Sequence, residues 1–243
     1  MMRGAERRVA LVTGASGGIG QAVVARLRKS GARVAAFDLA PPASSRASSA
    51  YLPLSGDASD ESDVASAIAR TIEHFGRLDF LVHTVGKVAA GGIEECTLSL
   101  WREQIAVNLD SAFLFCREAA PHLAASQGAV VLFSSTNGRN GGSSVSGVAY
   151  AVAKAGIINL ARNLARDWAR KGVRVNCIAP GPVDTRMLDR VGPRGRQRLL
   201  DSIPLRRFSS ADQVAAQVAF LLSDDCAAVS GEVFNTSGAL VLD

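Results

Sequence analysis

The stretch Thr13-Gly14-Ala15-Ser16-Gly17-Gly18-Ile19-Gly20 stands between an apolar run, Arg8–Thr13, and a segment of helical periodicity, Gly18–Lys29. Strand, glycine-rich turn and helix in that order make an anion site. Glycines at 14, 18 and 20 let the backbone turn tightly and approach a diphosphate, and free N–H groups at the helix start favour negative charge. Ser16, Gly17 and Ile19 complete the set of candidate contacts in the turn. Its context, a strand before and a helix after, is what the mechanism requires.

The same alternation continues outward. Arg33–Asp38, Tyr51–Leu54, Asp79–Thr84, Ala129–Ser134, Val173–Ala179 and Glu232–Asn235 read as further strands. Glu61–Phe75 carries apolar residues at helical spacing (Val64, Ala67, Ile68, Ile72). Leu98–Leu123 reads as one or two helices, and Tyr150–Arg170 and Ala211–Leu222 as one each. Apolar strands alternating with helices predict a parallel sheet covered on both faces. The expected fold is α/β: a doubly wound, mostly parallel seven-stranded sheet forming a single domain over residues 1–243. Ala40–Ala50 and Arg139–Gly147 are expected to be loops, the latter flexible.

Composition narrows the function. With 48% hydrophobic and 20% charged residues, the 243-residue chain can bury a sizeable core. Its apolar runs are too short to span a bilayer, and Met1–Glu6 leaves no room for the apolar region of a signal peptide before the first strand. Cys96, Cys116, Cys177 and Cys226 are widely spaced, so reduced thiols and a cytoplasmic setting are expected, with no metal site. Seven arginines against Asp189 and Asp201 between residues 186 and 207 account for the whole net charge of +5. A segment that basic is a solvated mobile flap or a lid that attracts anionic substrates. Only 5% of residues are aromatic, which offers no stacking platform for nucleic-acid bases.

Asp38 ends the second strand, 24 residues after Gly14. A carboxylate there accepts hydrogen bonds from adenosine ribose hydroxyls and repels a 2′-phosphate. Neither Ser16 nor Leu39 is basic, so NAD is favoured and NADP is the alternative. Asp57 either faces the adenine or caps the helix that follows.

Tyr150-Ala-Val-Ala-Lys154 opens a long helix, and i, i+4 spacing puts phenol and amine on one face. A nearby ammonium stabilises a phenolate and lowers its pKa, so the same hydroxyl can donate or accept a proton.

Together, TGASGGIG, Asp38, QIAVNLDSAFLF, VVLFSS, YAVAK and VRVNCIAPGPVDT resemble the short-chain dehydrogenase/reductase family, in its single-domain branch of roughly 250 residues. The likeness runs from Arg8 to the C-terminus. It implies hydride transfer between NAD(P)(H) and a small alcohol or carbonyl compound. By resemblance Tyr150 is the general acid/base, Lys154 lowers its pKa and binds the nicotinamide ribose, Ser135 holds the substrate oxygen, and Asn108 fixes a water in a proton relay. Pro180, Gly181, Val183 and Thr185 would lie against the nicotinamide. Asp57, Ala58, Thr84, Val85 and Gly86 would line the rest of the cofactor. The family also implies a homo-oligomer, a tetramer or a dimer, built on the helices around 108–123 and 150–170.

Taken singly, Asn108 also reads as a buried asparagine satisfying backbone, and Ser134 or Asn137 could stand in for Ser135. Three departures are visible. His83-Thr84-Val85-Gly86 replaces the usual Asn-Asn-Ala-Gly, with His83 expected to be packed. Ser135 and Tyr150 are 15 apart, two more than usual, and NTSGAL replaces an ending with paired glycines. The resemblance also implies a substrate flap around residues 184–208, and Asn137, Arg139, Asn140, Lys87 and the flap arginines make the expected substrate lining polar and positive. A 3-ketoacyl reductase using NADPH is the alternative reading, although Ser126-Gln127-Gly128 lacks the basic residues that carrier docking requires. A dinucleotide sensor would not need Asn108, Ser135, Tyr150 and Lys154 together. A halohydrin-dehalogenase-like lyase would fill the dinucleotide site that the glycines are expected to leave open.

Overall fold

A computed structural model describes residues 8–40, 46–143 and 145–242. Met1–Glu6 and residues 41–45 of the expected Ala40–Ala50 loop lie outside the described residues. In chain order the elements are β1 (Val9–Thr13), α1 (Gly18–Lys29), β2 (Arg33–Asp38), β3 (Tyr51–Ser55), α2 (Glu61–Phe75), β4 (Phe80–His83) and α3 (Leu98–Ile105). A π turn, Ala106–Asp110, leads into α4 (Ser111–Ser126), β5 (Ala129–Phe133), α5 (Asn137–Asn140), α6 (Val148–Trp168) and β6 (Arg174–Pro180). The chain closes with β7 (Val183–Asp184), α7 (Gly192–Ser202), β8 (Ser209–Ser210), α8 (Ala211–Leu222) and β9 (Val233–Thr236).

Among the described residues seven strands form one sheet in the order β3-β2-β1-β4-β5-β6-β9, and every pairing is parallel. The short β7 and β8 pair separately. Strand alternation sends Val9 and Leu11 into one apolar cluster and Ala10 and Val12 into the other. Val64 and Ile68 of α2, Phe115 and Leu123 of α4, and Ile157 and Ala161 of α6 cover the first face. Val23 and Leu27 of α1, with Val214, Val218 and Leu221 of α8, cover the second. Each such fully buried Leu or Val contributes about 2 kcal/mol by leaving water.

The chain winds outward from β1 to β3, then returns to set β4 on the other side of β1. That reversal opens a crevice at the carboxyl ends of β1 and β4, where doubly wound sheets bind ligands. Thr13 and His83, the last residues of the two strands, are register partners there.

Three expectations are corrected. The cap of α2 is Asp60, which accepts from the Ser62 hydroxyl and from the backbone N–H groups of Asp63 and Ser62; these bonds, the hydroxyl's first, hold its carboxyl below the ordinary carboxylate value. Asp57 instead accepts from the N–H and hydroxyl of Ser59, so it is not the cap. The stretch expected to be a flexible loop begins inside a short helix, α5. The flap is largely helical, with 3₁₀ turns over Arg186–Val191 leading into α7, where Pro193 pre-sets the first turn.

Candidate active site

Two glycines fix the phosphate turn. Gly14 has φ of +68°, and a β-carbon on Gly20 would stand 2.1 Å from the Gly14 carbonyl oxygen, so neither position admits a side chain. The start of α1 has no side-chain cap, which leaves its N–H groups to an anion. The crevice is narrower than the glycines alone imply. A β-carbon on Gly18 would lie 2.6 Å from Cγ2 of Thr185, so the missing side chain makes room for Thr185 as well as for a diphosphate.

Asp38 turns back toward this turn. Its Oδ2 accepts from the Ser16 N–H at 2.9 Å, and the Ser16 hydroxyl donates to the Ala40 carbonyl at 2.8 Å. The other carboxylate oxygen is left for a ribose hydroxyl. Leu39 is exposed and Ala58 buried. These features fit an adenine dinucleotide: an uncapped helix start for its diphosphate and a carboxylate oxygen for its ribose.

His83 is buried, and the hydrogen-bond pattern assigns its tautomer. Ser111 donates its single hydroxyl proton to the Val107 carbonyl at 2.6 Å, so it accepts from Nε2–H of His83 at 3.0 Å. Nδ1 then accepts from the Thr13 hydroxyl at 2.8 Å. Burial, with the charge of Lys154 as a second cause, lowers the imidazole pKa to about 3. This neutral ring ties β1 to the π turn. Next to it, the Thr84 hydroxyl donates to the Thr13 carbonyl at 2.7 Å.

Asn108 lies in the π turn, where Ser111 N–H reaches the Ala106 carbonyl. Its side chain is committed to backbone: Nδ2 donates to the carbonyls of Lys87 and Gln104, each at 2.9 Å, and Oδ1 accepts from Lys87 N–H at 3.0 Å. The side chain therefore holds the chain leaving β4, with one lone pair of Oδ1 left over.

The Lys154 ammonium is buried and donates to the carbonyls of Phe133 at 2.9 Å and Val85 at 3.2 Å. Of its three protons one remains for a ligand. Nζ and Asn108 Oδ1 would each stand 3.3 Å from a β-carbon on Gly86, so Gly86 separates the two side chains. Burial pulls the Lys154 pKa down to about 8.

Tyr150 is also buried, with the Ser135 side chain acting on its hydroxyl. Ser135 Oγ accepts from Asn137 N–H at 3.2 Å, whereas the Ser134 hydroxyl is spent on the Lys154 carbonyl at 2.6 Å. Ser135, not Ser134, is the serine that faces the phenol. The acidified phenol expected from the sequence is not the state of this structure. Burial raises the Tyr150 pKa, and the Ser135 side chain and the charge of Arg190 pull against it. Lys154 Nζ lies 5.7 Å from the ring centroid, with two of its protons given to carbonyls. In a low-dielectric pocket the charged forms of phenol and amine are both penalised.

Behind this cluster, Pro180 ends β6 with its carbonyl accepting from Thr136 N–H, and Gly181 N–H donates to the Thr236 carbonyl. Val183 is buried in β7. Of the residues expected to line the substrate space, three turn elsewhere. Lys87 pairs with Glu103 at 2.5 Å, Asn140 Oδ1 accepts from Gly142 N–H, and Arg139 donates to the Val233 carbonyl. Arg190, from the flap, was hidden in a run of arginines that the sequence could not rank.

A family model described as Enoyl-(Acyl carrier protein) reductase matches residues 14–238, most of the chain. The chain belongs to the short-chain dehydrogenase/reductase family. It is similar to D-threitol dehydrogenase of Mycolicibacterium smegmatis, 36% identical over 92% of this chain and 89% of that one. It is also similar to 2-(R)-hydroxypropyl-CoM dehydrogenase of Xanthobacter autotrophicus, 34% identical over 96% of this chain and 98% of that one. Among solved structures, a short-chain dehydrogenase/reductase of Brucella melitensis superposes with a TM-score of 0.92 at 29% identity, covering 100% of both chains. As a member of this family the protein is an NAD(P)-dependent oxidoreductase of the short-chain type. Among the described residues, no helix is long and apolar enough to cross a membrane.

Proposed function

We propose that the protein is an NAD-preferring alcohol dehydrogenase in which Tyr150 is the general acid/base. The observation that carries this reading is the convergence of one phenol, one hydroxyl and one ammonium in a buried pocket beside the phosphate turn. The nicotinamide, when bound, supplies or accepts the hydride. Ser135 holds the substrate oxygen against Tyr150, which donates a proton to it during carbonyl reduction and accepts one during alcohol oxidation. Lys154 directs its remaining proton to a ribose hydroxyl and, as an ammonium, favours the phenolate when the phenol gives up its proton. Asn108 acts by position: its amide holds the segment at Lys87, and so the wall that contains Val85 and Gly86. Thr185 and Val183 orient the carboxamide side of the cofactor. Asp38 excludes a 2′-phosphate.

The substrates for which these relatives are named, D-threitol and 2-(R)-hydroxypropyl-CoM, support a secondary alcohol or ketone as the reacting group. Phe113 on α4 and Val152 on α6 are exposed apolar side chains, and they support a homo-oligomer, a tetramer or a dimer, built on those two helices. Cys116 and Cys177 are buried free thiols pushed up to about 12, which suits a reducing cytoplasm. The test is steady-state turnover of a panel of secondary alcohols and ketones with each cofactor. The expected result is turnover with at least about tenfold preference for NAD(H), the discrimination one well-placed charge provides. Absence of turnover, or a preference for NADP(H), would contradict the reading.

A further inference from the structure

The flap reaches across the mouth of the active site through one side chain. Arg190, at the end of the 3₁₀ turns, donates from Nη1 to the carbonyl of Val145 at 2.8 Å and from Nε to the carbonyl of Met187 at 3.1 Å. Val145 belongs to the loop that enters α6, five residues before Tyr150. The guanidinium is thus held from two sides, by the flap and by the loop that carries the phenol, with its plane fixed and donors left over. Its charge lowers the Tyr150 pKa, against the larger effect of burial.

Among the flap arginines Arg190 alone bonds the loop before α6, and its charge, like those of Arg186, Arg194, Arg198 and Arg207, has no carboxylate partner among the described residues. Arg196 pairs with Asp184 at 2.6 Å, and Arg206 pairs with Asp201 at 3.3 Å. Arg190 bonds neutral carbonyls, and among the described residues no carboxylate lies within ion-pair distance of it. Lys87, Arg139 and Asn140, three of the other polar residues expected near the substrate, have partners that draw them elsewhere. An anchored cation without a counter-charge, tied to the loop that leads to the reacting hydroxyl, is a receptor for an anion.

We propose that Arg190 is a specificity-determining residue that binds a carboxylate on the substrate, so that the preferred substrates are hydroxy acids or keto acids whose acid group stands apart from the reacting carbon. This rests on the reading that Tyr150 marks the reacting site. The bound carboxylate supplies the acceptors for the remaining guanidinium donors and fixes which end of the substrate enters first. No covalent step is added to the reaction.

The test needs no turnover. Cyclohexanecarboxylate and its neutral analogue cyclohexanecarboxamide are titrated by calorimetry into the protein saturated with NADH, for wild type, Arg190→Met and Arg190→Lys. The carboxylate is expected to bind wild type at least about tenfold more tightly than the amide, the margin a charge-assisted hydrogen bond provides. That margin disappears in Arg190→Met and partly returns in Arg190→Lys, while the affinity for the amide stays within about twofold throughout. A carboxylate that binds no better than the amide, or a margin that survives Arg190→Met, overturns the proposal. The same titrations on Tyr150→Phe keep the margin if Arg190 is the receptor. An error in the acid/base assignment therefore does not mimic an error in the anion site.

Discussion

The γ-methyl of Thr185 lies 2.6 Å from the point where a β-carbon on Gly18 would stand. The phosphate turn and the segment after β7 are thus packed against each other through an absent side chain. Gly18→Ala is expected to push Thr185 outward and raise KM for NAD about tenfold, since displacements near 1 Å at a positioned site cost that much or more. Adding Thr185→Ser, which removes the offending methyl, should recover part of the loss. Initial-rate kinetics on the two variants check this, and an unchanged KM in Gly18→Ala would show that the turn yields freely.

Asp38 gives one carboxylate oxygen to Ser16 N–H and keeps the other for the cofactor. Asp38→Asn preserves an acceptor for Ser16 and removes the charge. The ratio of kcat/KM for NAD to that for NADP should fall by about tenfold, the usual worth of one charge at such a contact. An unaltered ratio would place the discrimination elsewhere.

His83 contributes to stability in a pH-dependent way. Its folded pKa of about 3 lies below the ordinary value of 6.5, so on acidification the unfolded chain takes up the proton first. The contribution is complete above about pH 6.5 and falls by about 1.4 kcal/mol per pH unit as pH drops toward 3. His83→Phe, which leaves the Thr13 hydroxyl without its acceptor, should cost about 2 kcal/mol at pH 7, with the deficit narrowing at pH 5. Urea denaturation at the two pH values measures it. Because the imidazole stays neutral, the variant's pH–rate profile between 5 and 8 should keep its shape.

Lys154 has the same sign at higher pH. With a folded pKa of about 8 against an ordinary 10.5, its contribution is complete above 10.5 and is lost as pH falls through 8. Wild type should therefore gain stability relative to Lys154→Met between pH 8 and pH 10. In kinetics, the pH at which ketone reduction falls and alcohol oxidation rises should move upward in Lys154→Met, because the phenolate then loses the ammonium nearest to it. A transition that stays in place would separate Lys154 from the proton transfer.

Much of this was legible in the sequence, for physical reasons. Gly18–Lys29, Arg33–Asp38, Glu61–Phe75 and Ala211–Leu222 fall where periodicity and capping residues put them; Ser210 and Gln213 form a capping box that fixes the start of α8. The π turn was not legible, because a single extra residue in Leu98–Leu123 leaves the apolar pattern intact. The flap helix was masked by Gly192, Pro193 and Gly195, which read as loop although Pro suits a first helical turn. Tyr150, Lys154 and Ser135 converge as their spacing and order implied. The direction of the Tyr150 shift did not follow, because spacing carries no information about how deeply a side chain is buried. Arg190 could not be told from its six neighbouring arginines until the flap's path across Val145 was known.

The account depends on a single phenol passing a proton to and from the substrate oxygen. Turnover and NADH binding of Tyr150→Phe, measured side by side on the same preparation, address this most directly. The expected result is loss of kcat by at least about a hundredfold, the usual worth of a general acid/base, with the dissociation constant for NADH within a few-fold of wild type. Turnover at the wild-type rate with that hydroxyl removed would contradict it.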